Sequence, residues 1–471
     1  MPGMGSRRVR RWLACSRGGL LPARVHVVGV AAVLLLVACS PGESAVTSPV
    51  NAAEATTTPR IEPVSATDRS DLAPRWIEAP RAAFSTVSGP ISGYRVLPGS
   101  SVRVSQVPVD IPLGGVPLWV VGVAEAERAT WVVALESGLL EAWRLGEAGP
   151  ERLPLDVESL PGRTPPLVVN TAEGPSVVLP FADASPLTYP TQASGRFIYI
   201  TENGDLVIVH EDGATQLAID ALPDSRISVS KDGLISVLAE PTLRYQNGVL
   251  GDNLEAGRLI IIEPTQEAVI GVAVIDDPSV IEGIAAPWVD VDGDGREELL
   301  VTVSNADVGA RLAVFDRGGE LVAQGPPIGR GNRWRNQLGA THTGPRGEIE
   351  VVDVRVPHIG GVVEYFRLDG SELAIAAEQS GFTSHRLGSR NLDMALAGDV
   401  TGDGSVDVIV PTNDLDALGV LSRTPGGTDV TAELPLPGRL TTNVAGASLR
   451  DGSLAIAAGT SEGVLRIYVA D

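Results

Sequence analysis

Asp290-Val291-Asp292-Gly293-Asp294-Gly295-Arg296-Glu297-Glu298 runs straight into the apolar stretch Leu299-Leu300-Val301-Thr302-Val303. A second copy, Asp399-Val400-Thr401-Gly402-Asp403-Gly404-Ser405-Val406-Asp407, begins 109 residues later and also enters an apolar run, Val408-Ile409-Val410-Pro411. Midway sits His342-Thr343-Gly344-Pro345-Arg346-Gly347-Glu348-Ile349-Glu350, followed by V-V-D-V. It keeps the glycine at position six and the acid at position nine and lacks the acids at one, three and five. An internal repeat is therefore the first property of the chain to establish. Weaker turn-and-strand signals, such as Glu173-Gly174, Asp232-Gly233 and Asp451-Gly452, extend the frame. Unit starts fall at 123, 169, 228, 290, 342, 399 and 447, on average 54 residues apart.

The rest of the sequence fits all-β units of this length. The chain has 471 residues, with 53 Gly and 35 Pro, both of which break helices. Short β-prone runs, such as L-W-V-V-G-V at 118–123, F-I-Y-I-T at 197–201 and R-L-I-I-I at 258–262, stand between Gly, Pro, Asn and Asp clusters. No amphipathic helical pattern separates them. Units of about this size, built only from antiparallel strands, suit the four-stranded blades of a β-propeller. The frame predicts seven blades, with six and eight left open by the faint first two units. The last unit shows only three strands, so residues 93–107 are expected to supply its outer strand and close the ring.

Alternating aspartates at positions one, three and five aim carboxylates at one point, Gly at six allows a sharp turn, and position seven offers a carbonyl. These are hard oxygen ligands at the spacing of a Ca2+ loop. The acid that an EF-hand needs at position twelve is missing: Val301 and Val410 stand there. Glu298 and Asp407, at position nine, take its place. The alternatives are a tight acidic turn without an ion and, more remotely, a catalytic aspartate.

The pattern D-x-D-G-D-G-x-x-D/E followed by a strand resembles the FG-GAP or VCBS repeat of integrin-alpha-like propellers and bacterial surface proteins. Two units, 290–298 and 399–407, carry the motif, and the others match only in phase. The resemblance implies a calcium-binding turn within a propeller blade. Its ligands would be Asp290, Asp292, Asp294 and Glu298 with the carbonyl of Arg296, and in the second loop Asp399, Thr401, Asp403, Ser405 and Asp407. Thr401 replaces the usual acid, which puts the affinity of the second loop in doubt.

The amino terminus reads as an address. Six arginines and no acid occur in residues 1–38, and residues 25–38 are V-H-V-V-G-V-A-A-V-L-L-L-V-A, ending against Cys39. A basic region and a short apolar run make a secretory signal. Leu36-Val37-Ala38-Cys39 resembles a bacterial lipobox, which implies lipidation of Cys39 and anchoring at the outer face of the cell membrane or the outer membrane. Residues 39–84, rich in Ser, Thr, Pro, Ala and Glu, read as a disordered tether, and 85–471 as the propeller. Cys15 and Cys39 are the only cysteines, so the exported body has no disulfide and no thiol chemistry. The net charge of −22 becomes −28 without the leader, which argues against a nucleic-acid partner.

For a ligand site, Arg333, Trp334 and Arg335 lie in the charged stretch before a predicted strand, and Arg390 and Asp393 hold the corresponding place before the second Asp loop. An exposed Trp334 would stack on a sugar or peptide; a buried one would pack between blades with its arginines in salt bridges. His210, His342, His358 and His385 show no paired zinc spacing, and no nucleophile elbow or phosphate loop is present. The expected function is a monomeric, lipid-anchored, calcium-stabilised binding or scaffold module for a protein or carbohydrate. The alternative is a secreted enzyme on the same fold, a lyase or a quinone-dependent sugar dehydrogenase.

Overall fold

The computed structural model describes Arg103–Val469, except residues 125–127, 147, 172–173, 211–212 and 450–451, together with two short strands, Val87–Ser88 and Arg95–Val96. The predicted signal segment, Cys39 and tether lie outside the described residues. Within them every regular element is a strand.

Runs such as Phe197-Ile198-Tyr199-Ile200 are apolar at every position because both faces of their sheet are covered. Successive side chains of a strand point to opposite faces. Phe197 and Tyr199 face one core with Leu167 and Val178, while Ile198 and Ile200 face another with Ile235 and Val237. The same division holds at Val408 and Val410 against Ile409.

Strand pairing groups the described residues into eight successive antiparallel units. The first is the four-stranded meander of Pro117–Ala124, Ala129–Leu135, Leu140–Gly146 and Gly149–Leu153. The second is short: Leu167–Thr171 pairs with Gly174–Val178 and with Val87–Ser88. The third, from Thr191–Ala193 to Gly213–Ala218, is again four-stranded. The fourth, fifth and sixth start at Ser228, Trp288 and Arg335 and run together through marginal pairings. The seventh is Leu396–Gly398, Asp407–Pro411, Ala417–Thr424 and Gly427–Pro435.

Eight apolar cores lie between these sheets, each built from two neighbours. The series is cyclic, since the core holding Ala445, Ile456's neighbour Ala457 and Leu465 of the last unit also holds Val120, Trp131 and Val133 of the first. A closed cycle of radially packed, mostly four-stranded sheets is a β-propeller; the described residues form eight such sheets, one more than the seven framed from the Asp-loop phase and within the six to eight left open. The unframed sheet is residues 191–218.

Closure differs from expectation by a few residues. The last sheet contributes Leu440–Ser448, Leu454–Thr460 and Val464–Tyr468, and its fourth strand is Val109–Pro112, paired from Val109↔Ile467 to Pro112↔Val464. Within 93–107, Arg95–Val96 pairs instead beside Leu396–Ala397 of the seventh sheet. Val104 N–H donates to the Val400 carbonyl and Ser105 N–H to the Val469 carbonyl. Arg466 adds a two-pronged contact to Asp110 at 2.6 Å on both oxygens.

Ile111 is buried in the closing strand. Ile111→Ala is expected to destabilise the whole ring by about 2–5 kcal/mol, seen as a lower Tm in calorimetry. Ile375→Ala, on an outer strand and 44% exposed, should change Tm little. Equal effects would show that the closing strand does not hold the ring.

Candidate functional site

In a radial meander the first-to-second and third-to-fourth turns share one face of the ring, and the second-to-third turns and blade-to-blade connections share the other. The Asp loops are first-to-second turns. The segments carrying Arg330–Arg333 and Arg386–Asp393 are blade-to-blade connections. The two candidate sites of the sequence therefore occupy opposite faces.

On the Asp-loop face, Gly295, Gly404 and Gly347 at position six have φ of 84°, 87° and 81°, a region that favours glycine. Asp290 accepts from Gly293 N–H (2.8 Å) and Gly295 N–H (3.0 Å), Asp292 from Asp294 N–H (3.0 Å) and Asp294 from Arg296 N–H (2.6 Å). One oxygen from each of Asp290, Asp292 and Asp294 lies within 4.8 Å of the others. Glu298 accepts from Val291 N–H. Partial burial and then the neighbouring aspartates raise its pKa. The side chain of Lys231, from the preceding blade, donates to the Gly295 carbonyl. This oxygen-rich, electronegative turn fits a hard divalent cation.

The second loop is drawn differently. Asp399 accepts from Gly402, Asp403 and Gly404, and Asp407 from Val400, Thr401 and the Ser422 hydroxyl. Ser405 N–H donates to Asp403. The backbone pattern is close to that of the first loop, but among the described residues only the first loop gathers three acids. In the third copy the acid at position nine, Glu350, is fully buried and held by Arg367 and Arg423. There guanidinium groups supply the positive charge.

The other face carries a cavity of about 560 Å3. Its lining comes from seven of the eight units: Leu118, Trp119, Arg163, Tyr189, Arg226, Ile284, Arg386 to Asn391, and Thr441. Such a lining places the cavity on the ring axis. Arg226, entering the fourth blade, reaches Asp393, entering the seventh, at 2.7 Å, and donates also to the Arg390 carbonyl. Arg390 in turn binds Asp224 (2.8 Å) and Asp252 (2.5 Å). The loop 243–254 packs against two of the lining residues: Gly388 N–H donates to the Val249 carbonyl, and Val249 and Leu250 pack with Ile284, Ala285, Trp334 and Leu392.

The proposed ligand residues separate accordingly. Trp334 and Arg335 are each 2% exposed, which corrects their assignment as ligand contacts. Trp334 donates to the Glu282 carbonyl and stacks near His358 and His385. Arg335 neutralises Asp353 and Glu364 inside the sixth blade. Its partners lie 18 and 29 residues on, out of reach of local sequence reading. Arg333 is exposed and outside the cavity lining. Arg390 lines the cavity, and Asp393 is buried behind it. Sequence reasoning missed Arg163, Arg226 and Arg386. Arg226 had one weak signal: like Asp393, it stands within a few residues of the start of an inner strand.

The four described histidines contact each other, backbone carbonyls and one carboxylate. His358 Nε2 lies 2.7 Å from His385 Nδ1, and His385 Nε2–H donates to the Ser389 carbonyl. Burial lowers the pKa of both, that of His385 to about 3. His342 contacts the Gly347 carbonyl, and His210 lies 3.5 Å from Glu267.

Beneath the 243–254 loop two buried glutamates stand without a basic partner among the described residues. Glu282 accepts from Asn247 and Ser304, and Glu255 from Gly283 N–H. Burial first, and for Glu255 also the Glu282 charge, raises their pKa values, to about 9 for Glu255 and about 7 for Glu282.

No protein-family model and no curated protein matches the chain. Among solved structures, BBS1N in complex with ARL6DN is 14% identical, with a TM-score of 0.42 over 79% of this chain and 98% of that one. BamB from Moraxella catarrhalis is 14% identical, with a TM-score of 0.40 over 78% and 97%. These are likenesses of fold and no more. The chain is a β-propeller with an arginine-lined recess on its axis.

Two outcomes follow. Asp393→Ala strands the buried Arg226 charge and should destabilise by about 3–5 kcal/mol, checked by chemical denaturation. An unchanged midpoint would show that the cross-ring pair is dispensable. The second is a pH dependence. The folded protein holds protons on Glu255 and Glu282 that the unfolded chain releases near 4.5. Their contribution to stability is full below that pH and is lost as pH rises through about 7 and 9. Glu255→Gln should flatten the fall of the denaturation midpoint over this window. An unaltered slope would refute it.

Proposed function

We infer that the protein is an exported, lipid-anchored binding or scaffold module that engages its partner at the axial cavity. The observation that carries this reading is the cross-ring tie of Arg226 to Asp393 and of Arg390 to Asp224 and Asp252. It fixes a concave, side-chain-lined recess at the hub of the propeller, where loops from seven blades converge. Concave sites with a few fixed polar groups are the usual form of a ligand pocket. The neighbouring histidines pair with each other and with backbone, so the geometry favours binding over the enzyme alternative.

The anchor and the ion belong to the same reading. Lipidation at Cys39 would hold the chain at the outer face of a membrane, and Ca2+ on Asp290, Asp292, Asp294 and Glu298 would brace the turn of the fifth blade. The second loop, with Thr401 at position three and no gathering of three acids, would contribute less. The partner is a protein or a carbohydrate, with the chain itself monomeric.

Site-specific photo-crosslinking in the source cell tests the binding face. A photoreactive residue at Leu387, on the cavity rim, should yield a discrete adduct, and one at Asp403, on the opposite face, should not. Adducts of equal yield from both would overturn the assignment of the face. For the anchor, a fatty-acid label should be lost in Cys39→Ala; retained label refutes it. For the ion, chelation should lower Tm and Asp292→Ala should remove most of that response by mass action. A Tm indifferent to chelator would mean that the Asp loops are plain turns.

A further inference from the structure

We propose that the axial cavity is a receptor for a short peptide segment that presents a carboxylate beside an apolar side chain. This rests on the reading of the cavity as the binding face and adds the chemistry of the ligand. In a chain with 58 acidic and 36 basic residues, the cavity wall holds four arginines, Arg163, Arg226, Arg386 and Arg390, and no carboxylate.

The four are not equivalent. Arg226 and Arg390 are held from behind by Asp393, Asp224 and Asp252, so they shape the wall and keep their position. Arg163 is paired only at the surface, with Glu136 at 2.8 Å and side chains 66% and 56% exposed. Such a pair is worth little and exchanges readily. Arg386 is exposed and has no ion pair among the described residues. An incoming carboxylate therefore meets one free guanidinium and one that is cheaply released, and either can bind it bidentately.

The apolar half of the ligand is read from the same rim. Leu387 is 69% exposed beside Arg386, and Leu187, 39% exposed, lines the same cavity. Pro165, Pro186 and the nearly buried Trp119 extend this surface inward. This aliphatic lip seats an apolar side chain beside the guanidinium groups, and Thr164, Ser389, Asn391 and Thr441 of the same wall offer hydrogen bonds to a peptide backbone. Charge complementarity and the volume, within the range of small-ligand pockets, set the occupant as a few residues of an acidic, leucine-like segment.

The test uses the purified full chain and four fluorescein-labelled peptides read by anisotropy. The first has Leu-Glu-Leu between flexible ends and an amidated terminus. Gln or Lys replaces Glu in the second and third, and the fourth carries Gln with a free carboxyl terminus. The first should bind, more weakly as salt rises, while the second and third bind about tenfold more weakly or not at all. Binding of the fourth would place the carboxylate at a chain end, which supports the same site. Arg386→Glu should abolish binding of the acidic peptide, Arg386→Lys should retain most of it, and Leu387→Asp should weaken it. Both positions are exposed, so folding is preserved, as an unchanged Tm would show. If the Gln or Lys peptide binds as tightly as the Glu peptide and Leu387→Asp still weakens it, the acid preference is wrong while the binding face stands. If no peptide binds, or Leu387→Asp changes nothing, the peptide-receptor proposal falls; crosslinking from Leu387 then judges the face independently.

Discussion

Everything else in this molecule depends on one ladder, the pairing of Val109–Pro112 with Val464–Tyr468. A propeller without it has an open edge in its last sheet and loses Ile111 from the core between its last and first blades. No cysteine occurs after residue 39, so the joint has no covalent help. It is held by backbone hydrogen bonds, by Ile111 beneath them and by Arg466 gripping Asp110. Because each of the eight cores is shared by two sheets, loss at the joint exposes two faces at once. Stability should accordingly be cooperative around the ring rather than local to a blade.

The hub follows a different rule. Close to the axis the inner strands and their connections bring charges together from blades far apart in sequence. Arg226 meets Asp393 over 167 residues, and Arg390 meets Asp224 and Asp252 over 166 and 138. Buried ion pairs gain little net stability over apolar packing, so their value here is positional. They set which connection faces which across the opening, and they leave the remaining arginines of the wall, Arg163 and Arg386, directed to solvent.

Much of the fold was legible because blade turns repeat a backbone requirement. The position-six glycines of the three clearest loops all lie at positive φ, so their phase marks true first-to-second turns. The frame missed residues 191–218 for a physical reason. The inner hairpin of that blade turns at Ser194-Gly195, without an Asp, and the preceding blade is cut to two principal strands. Two sheets thus fit into the 59 residues between the starts at 169 and 228. The site was less legible. A charged stretch such as Arg333-Trp334-Arg335 looks exposed when its carboxylate partners are distant, yet Asp353 and Glu364 bury Arg335 and Glu282 takes the Trp334 N–H. Local sequence carries burial poorly when the compensating charge arrives from another strand.

The division of faces limits how the two candidate sites can influence each other. Antiparallel meanders put the Asp loop of the fifth blade at one end of its strands and the hub connections at the other. A cation at Asp290, Asp292 and Asp294 could not touch a ligand in the axial cavity. Any coupling must pass along the strand Glu298–Ser304, whose Ser304 hydroxyl donates to Glu282 and whose Thr302 hydroxyl bonds Gln337 and the Arg335 carbonyl. Glu282 also takes the Trp334 indole N–H on its carbonyl, and Trp334 packs with Ile284 of the cavity wall. A route therefore runs from the Asp-loop strand to the wall through Ser304, Glu282, Trp334 and Ile284, all of them buried.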